Sequence, residues 1–561
     1  MSETQRFLLL AILIGAFAGL VVVFFHISID WLSWFALNSP IGTGWLATLL
    51  WPALGAAAAA WVVLYVFPAA RGSGVNHTKA AIYISDGDVP ISSVTGKFLA
   101  CSISIGTGNS LGPEDPSLQM GAGIASFLGR TFRLSRNTMR QIAPVGAAAG
   151  IAAAFNTPIT AVLFVIEEIV AGWRANVLGS IVLSAVSAVV VVRSFLGDSP
   201  LFEVPPFRLT HPSELFIYAG MGVVGGVLAA AWVAMMRKLH EARLGTEGWL
   251  RLAPPFAAGL AVGLIGLGLP QVMGAGYEGI DAALHQQFSW HMLAILAAGK
   301  MAATALCFAA GTPGGMFAPT LFTGAMIGGA IGGLGRLYWP VPVSATDAYV
   351  LVGMGTFFAG VFRAPMTSVF MVFEVSASYV IILPVMIANT VSYLISRWLQ
   401  PVAFFDMLAR QEGINLPSHE EQRERPATRV EDAMGRPVVP CVYKSQPVSE
   451  VHAHLRQTGA KFSLVNLQDG RWAFVREVDL EKVPTIDGER TALGTALELN
   501  PIPRLYPDLT LDSALRLMGA HAMLPVVSRL KPDELLGTLS LADIHRMYGL
   551  GDGASSDRVR V

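Results

Sequence analysis

Two adjacent carboxylates, Glu114 and Asp115, follow a Gly112-Pro113 step inside the stretch Gly106 to Gly121, with long apolar sequence on either side. Proline suits the first residue of a helix, so both acids fall in a first helical turn. There, unpaired N–H groups and the helix dipole attract negative charge. Such an end can hold a bound anion or simply its own capping carboxylate, and the local pattern leaves both open. A second acidic pair, Glu167-Glu168, lies in Leu163-Phe-Val-Ile-Glu-Glu-Ile. Neighbouring helical residues are rotated by about 100°, so these two face different sides. They read either as a snorkelling pair at a helix end or as an intramembrane acid that relays protons. Enzyme chemistry has little support, since there is no phosphate-binding loop or nucleophile elbow. Cys101, Cys307 and Cys441 are too dispersed for a metal or disulfide pattern, and no metal site is expected.

The elements that position these acids belong in a lipid bilayer. Of 561 residues, 53% are hydrophobic and only 14% charged, with a net charge of −1. This is a multi-pass membrane protein by composition, with no basic excess for nucleic acid. Arg6 precedes an apolar run to about Phe25 that reads as a retained first helix rather than a signal peptide. Apolar segments near 7–35, 44–67, 95–107, 141–170, 177–195, 214–236, 252–268, 291–310, 317–335, 348–362 and 365–398 follow. Several are too short or too interrupted by Gly and Pro to cross about 30 Å of hydrocarbon at 1.5 Å per residue. Interrupted helices at membrane depth persist only where protein or a polar cavity surrounds them.

The chain also repeats itself. Gly146-Ala-Ala-Ala-Gly-Ile-Ala-Ala-Ala-Phe-Asn-Thr-Pro158 through Glu167 matches Gly353-Met-Gly-Thr-Phe-Phe-Ala-Gly-Val-Phe-Arg-Ala-Pro365 through Glu374, an offset of 207 residues. Gly15 and Gly19 match Gly222 and Gly226 at that offset, and Gly106-Thr-Gly matches Gly311-Thr-Pro at 205. Repeats whose interruptions correspond place a binding site near the bilayer midplane, faced by half-helix ends. Here the interruptions are Gly106 to Pro116 and Gly311 to Pro319. Without a carboxylate cage for a cation, their backbone N–H groups favour an anion.

After Leu399 the composition changes. We place a transmembrane domain at 1–410, with halves at about 4–200 and 210–400, then a charged linker at 411–429. Residues 430–561 read as two similar α+β modules, at about 430–483 and 492–550.

Taken together, Gly72-Ser-Gly-Val-Asn, Gly112-Pro-Glu-Asp-Pro, Gly314-Gly-Met-Phe-Ala-Pro and the helix carrying Glu167-Glu168 make the chain resemble the CLC family of chloride channels and proton/chloride exchangers. The tail resembles a tandem pair of CBS domains. The resemblance implies a homodimer with a pore in each subunit, each pore built from two inverted-topology repeats with broken helices. It implies an anion site where the Gly72, Gly112 and Gly314 helix ends converge, with the Ser73 hydroxyl and the Met316 and Phe317 amides as ligands. Glu114 matches the gate and outer proton site, and Glu168 the inner proton site. The implied function is exchange of chloride for protons, the alternative being a passive voltage- or pH-gated chloride channel. The CBS pair would be cytoplasmic and the membrane a cell (inner) membrane. Glu374 is read as structural or dimer-related.

Five positions depart from the family pattern. Asp115 replaces a usual glycine and Pro113 a basic residue, while Val75-Asn76 stands for an Ile-Pro pair. Phe405, or Phe404 after a one-residue slip, replaces a tyrosine, removing a hydroxyl from the anion site. In the tail, Gly537-Thr-Leu-Ser-Leu-Ala-Asp543 resembles a ribose-contact pattern, with Ser540 and Asp543 as candidates for an adenine nucleotide; the same pattern is also a common helix cap. No other cofactor is implied.

Overall fold

The computed structural model describes residues 3–38, 44–83, 85, 87–170, 175–198, 201–202, 204–205, 209–241, 248–411, 429–435, 441–483, 491–519 and 521–547. The expected linker, apart from Gln411 and Arg429, lies outside the described residues. The chain divides into two compact units, Met1–Ile414 and Asn415–Val561.

In the first unit, the first half runs α1 (Glu3–Asn38), α2 (Trp45–Trp61), α3 (Gly74–Tyr83), α4 (Ile91–Gly106), α5 (Glu114–Thr131), α6 (Arg136–Phe155), α7 (Pro158–Phe164) and α8 (Ala175–Leu196). The second half repeats that order as α9 (Glu214–Glu241), α10 (Ala253–Gly268), α11 (Tyr277–Leu284), α12 (Trp290–Ala310), α13 (Phe317–Tyr338), α14 (Thr346–Phe362), α15 (Pro365–Ser376) and α16 (Ile382–Leu399); α17 (Phe404–Gln411) follows. Eight stretches among the described residues are long and apolar enough to cross a membrane. The shorter helices α3, α7, α11 and α15 are the half-helices of an inverted-repeat membrane fold. The polar starts of α3, α5 and α11 keep them out of an apolar-segment reading.

Close helix contacts explain the repeated glycines. A Cβ at Gly121 would lie 2.1 Å from the Gly146 carbonyl oxygen, and one at Gly324 would lie 2.4 Å from that of Gly353. Thus α5 packs on α6 as α13 packs on α14, with backbones touching, a contact only small residues permit in a membrane.

The repeat is closed by an exchange of carboxylates. Glu167 accepts from the Met366 and Thr367 N–H groups at 3.3 and 2.9 Å and from the Thr367 hydroxyl at 2.8 Å, at the start of α15. Glu374, at the end of α15, accepts from Ile159 N–H, Thr160 N–H and the Thr160 hydroxyl at 3.0, 2.9 and 2.7 Å, at the start of α7. Each half caps a helix of the other, and the partners 159/366, 160/367 and 167/374 all differ by the 207 residues of the sequence repeat. Glu374 is therefore a structural cap.

The second unit holds a four-stranded sheet in the order β1 (Cys441–Tyr443), β2 (Phe462–Asn466), β3 (Trp472–Arg476), β4 (Pro501–Ile502), with β1/β2 parallel and the other pairs antiparallel. An antiparallel pair, β5 (Met523–Val527) and β6 (Leu535–Ser540), follows. Its cores cut across the linear modules. Val430 is buried with Leu505, Leu511, Ala514 and Leu524, and Leu493 with Val442, Val451 and Val465. Each module borrows the first apolar turn of the other, because the N–H of Val430 donates to the Leu509 carbonyl at 2.8 Å and that of Leu493 to the Gln446 carbonyl at 2.9 Å.

Because Glu167 and Glu374 each satisfy three donors at a helix start, Glu167→Ala and Glu374→Ala are each expected to cost about 1–2 kcal/mol. Thermal unfolding of the detergent-solubilised protein checks this; two variants indistinguishable from the parent would contradict it.

Candidate anion and proton site

The site begins at the two interruptions. Gly112 N–H donates to the Gly315 carbonyl at 2.8 Å and Gly315 N–H to the Gly112 carbonyl at 2.7 Å, a reciprocal pair linking the halves. No side chain fits at Gly112, since a Cβ would lie 2.3 Å from Glu114 Oε2 and 2.9 Å from the Ala318 Cβ. This pairing sets the starts of α5 and α13 side by side, with Pro113 and Met316 as their respective N-cap residues.

From that start the two acids of α5 diverge, as rotation along a helical turn requires. Glu114 turns toward the second half. Its carboxylate accepts from the Tyr277 hydroxyl and, at 3.4 Å, from Ala318 N–H in the first turn of α13. Asp115 turns toward the first half, accepting from the Ser73 hydroxyl at 3.1 Å, Gly74 N–H at 2.8 Å and Val75 N–H at 3.0 Å, at the start of α3. Both carboxylates are buried, so each of two helix ends holds a carboxylate supplied by the chain itself.

A cavity of about 650 Å³ is lined by Ser73, Asp115, Met316, Phe317 and Phe405. A second, of about 1160 Å³, reaches Pro113 and Tyr277. Glu114 lines neither, and its immediate neighbours Pro113 and Asp115 line one each. Its side chain thus stands in the partition between two cavities.

Two buried lysines hold the turns that feed the site. Lys97 on α4 donates to the Gly72 carbonyl, and Lys300 on α12 donates to the Gly274 carbonyl at 2.7 Å and that of Val272 at 2.9 Å. The turns Gly72-Ser-Gly and Gly274-Ala-Gly are themselves repeat partners, offset by 202 residues. That offset puts Tyr277, the first residue of α11, opposite Val75 in the repeat. Sequence reading missed Tyr277 because its turn carries no polar motif and its offset of 202 departs from the 205 and 207 visible in the sequence.

Phe405 lies in an aromatic wall, stacked on Phe362 with centroids 5.1 Å apart and tilted against Phe317 at 6.1 Å. The wall offers no hydroxyl to the cavity at this position. Glu168 lies on a π-helical turn, Val165–Ile169, and is ion-paired with Lys79 of α3. The Lys79 ammonium also lies 5.8 Å from the Phe405 ring centroid. Glu168 is buried while Glu167 faces α15, so the two acids point to different sides as their spacing predicts. Lys79 is the second residue missed. A lone lysine in a short half-helix is legible as needing a buried partner, but its partner is 89 residues away.

Ser73, Met316, Phe317 and Phe405 therefore line one cavity, with Gly112 and Glu114 next to it, and Glu168 pairs with a lysine that reaches the Phe405 ring. In the second unit, Ser540 and Asp543 satisfy one another: Ser540 N–H donates to the Asp543 carboxylate at 3.0 Å, its hydroxyl at 2.5 Å, and Asp543 N–H returns a bond to the Ser540 oxygen at 3.2 Å. That is a reciprocal helix cap. A group that the sequence did not reveal, His452, Glu477 and Glu481, has ligand-capable atoms within 4.8 Å of one another.

Residues 54–397 match the voltage gated chloride channel family, and residues 495–549 match the CBS domain. A ClcB-like protein of Ralstonia nicotianae is 32% identical over 403 residues, which cover 69% of this chain and 92% of that protein. A protein of Vibrio vulnificus described as the H(+)/Cl(-) exchange transporter ClcA is 30% identical over 399 residues, covering 68% and 84%. Among solved structures, a eukaryotic CLC transporter superposes with a TM-score of 0.71 at 19% identity, covering 96% of this chain and 98% of that one.

Removing one member of a buried ion pair strands the other, at a cost of about 3–5 kcal/mol. Lys79→Met should therefore destabilise the protein strongly, and Lys79→Met/Glu168→Gln should recover part of the loss. Strictly additive effects in thermal unfolding would show that the pair is not coupled.

Proposed function

The chain belongs to the voltage-gated chloride channel family, and from that membership and the partition at Glu114 we propose that it is a secondary active transporter exchanging chloride for protons. The observation that carries this reading is the place of the Glu114 carboxylate. It lies within reach of the first amides of α13, where an arriving anion would also be drawn. An anion and the ionised side chain then compete for one helix end, and a proton on Glu114 removes the competitor. Binding of the two ions is thereby coupled, as exchange requires.

In this reading Glu114 is the gate and outer proton site and Glu168 the inner one. The Met316 and Phe317 amides face the anion from the α13 end, beside Gly112 and the wall containing Phe405. Tyr277 holds the gate by donating to its carboxylate. The ClcA relative, named as an exchanger, supports coupling over passive conduction. A passive voltage- or pH-gated channel of the same fold remains the second reading, favoured by the missing hydroxyl at Phe405, since one lost bond to a charged acceptor weakens anion holding by about 1.5–3 kcal/mol.

We place the transmembrane domain at 1–410, the linker at 411–429 and the CBS pair at 430–561. The protein would act as a homodimer in a cell (inner) membrane with its CBS pair cytoplasmic. An adenine nucleotide at Ser540 and Asp543 would have to displace their mutual cap. If it does, Ser540→Ala weakens ATP binding to the full-length protein; unaltered binding in calorimetry excludes those two residues.

Proteoliposomes test the exchange. A chloride gradient should drive protons uphill, and a reversal potential that follows chloride alone, unmoved by a pH gradient, would establish the channel instead. Glu114→Gln should abolish proton flux while sparing chloride flux, Glu168→Gln should reduce proton flux selectively, and Tyr277→Phe should accelerate chloride turnover.

A further inference from the structure

The start of α3 is built to receive an anion and already contains one. Three donors converge there, the Ser73 hydroxyl and the N–H groups of Gly74 and Val75, and all three are taken by the two oxygens of Asp115. Asp115 belongs to α5, so this is a tertiary contact across 40 to 42 residues and not a local cap. Its carboxylate lines the same cavity as Ser73, Met316 and Phe317. Arg71, His77 and Lys97 line that cavity too, so the fixed negative charge sits among cationic or ionisable groups. The approach is close: a Cβ at Gly74 would lie 2.3 Å from the Asp115 carbonyl oxygen.

We propose that Asp115 is a resident anion, a specificity-determining residue whose carboxylate takes the place of a transported halide at the α3 end and leaves the mobile ion to the α13 end alone. The inference rests on reading this cavity as an anion path. The adjacent acids then divide the work by position. Glu114, held by one phenol and one amide at 3.4 Å, is the displaceable occupant of its helix end. Asp115, held by three donors within 3.1 Å, is the permanent occupant of the other. An ion in the cavity meets a standing charge of its own sign and finds Ser73 engaged. The predicted result is weak, short-lived halide occupancy near Ser73. Passage is governed by the single displaceable carboxylate.

Halide binding to the purified full-length protein tests this without requiring transport. Chloride and bromide are titrated calorimetrically at constant pH and ionic strength against a large impermeant anion. Asp115→Gly should bind halide at least about tenfold more tightly than the parent, a difference of about 1.4 kcal/mol. Ser73→Ala in that background should remove most of the gain, because the freed hydroxyl is the new ligand. Asp115→Asn, which keeps the volume and loses the charge, should tighten binding by a smaller factor, about threefold, and guards against a misfolded glycine variant. Parent-like affinity in both Asp115 variants, or an Asp115→Gly/Ser73→Ala protein that binds as tightly as Asp115→Gly, overturns the proposal. If proton pumping fails in the parent while Asp115→Gly still tightens halide binding, exchange is excluded and the resident anion stands.

Discussion

Everything at this site depends on the reciprocal pair of backbone hydrogen bonds between Gly112 and Gly315. Two helices that begin at membrane depth expose N–H groups that lipid cannot satisfy. Pairing the loops just before α5 and α13 satisfies the donors of Gly112 and Gly315, which lead into those starts. It also brings the helix starts together around a common point. Glycine is required because the space a side chain would fill is occupied by the Glu114 carboxylate and by Ala318. The remaining amides are left to carboxylates or anions.

The rest of the first unit supports that junction in a nearly two-fold way. Lys97 and Lys300 tie down the equivalent turns before α3 and α11, and Glu167 and Glu374 cap the equivalent starts of α15 and α7. In each case a charge buried or half-buried in the membrane unit meets backbone groups that would otherwise be unsatisfied. The symmetry breaks at the paired helix starts. Ser73 becomes Ala275 in the second half and Val75 becomes Tyr277, while the acids Glu114 and Asp115 have Phe317 and Ala318 as counterparts. One half supplies both carboxylates, and the other supplies the phenol and the amide that hold Glu114.

The aromatic wall and the buried Lys79–Glu168 pair are neighbours. Phe405 lines the cavity, and the ammonium of Lys79, the partner of Glu168, lies 5.8 Å from its ring centroid. A buried ion pair at a π-helical turn is costly to maintain and contributes little to stability over an apolar alternative, so its presence here is better explained by charge handling than by packing.

Much of this was legible in the residues themselves. Composition determined a membrane protein, because so little charge cannot cover a soluble surface of this size. The offset between Pro158 and Pro365 determined two halves, since equal spacing along the chain reflects equal elements in space. The interruptions at Gly106 to Pro116 and Gly311 to Pro319 followed from where Gly and Pro break apolar runs, and the divergence of Glu167 from Glu168 followed from helical rotation, whereas the half-helices α3 and α11 fell outside the apolar segments. The partners were not legible. That Asp115 closes on Ser73, that Tyr277 reaches Glu114, that Lys79 finds Glu168, and that Val430 packs into the later CBS core are contacts between residues 42, 163, 89 and roughly 80 positions apart. Local pattern specifies which backbone ends need an anion. Only the tertiary arrangement decides which carboxylate arrives there, because several acids and several helix ends compete at similar local cost and long-range packing chooses among them.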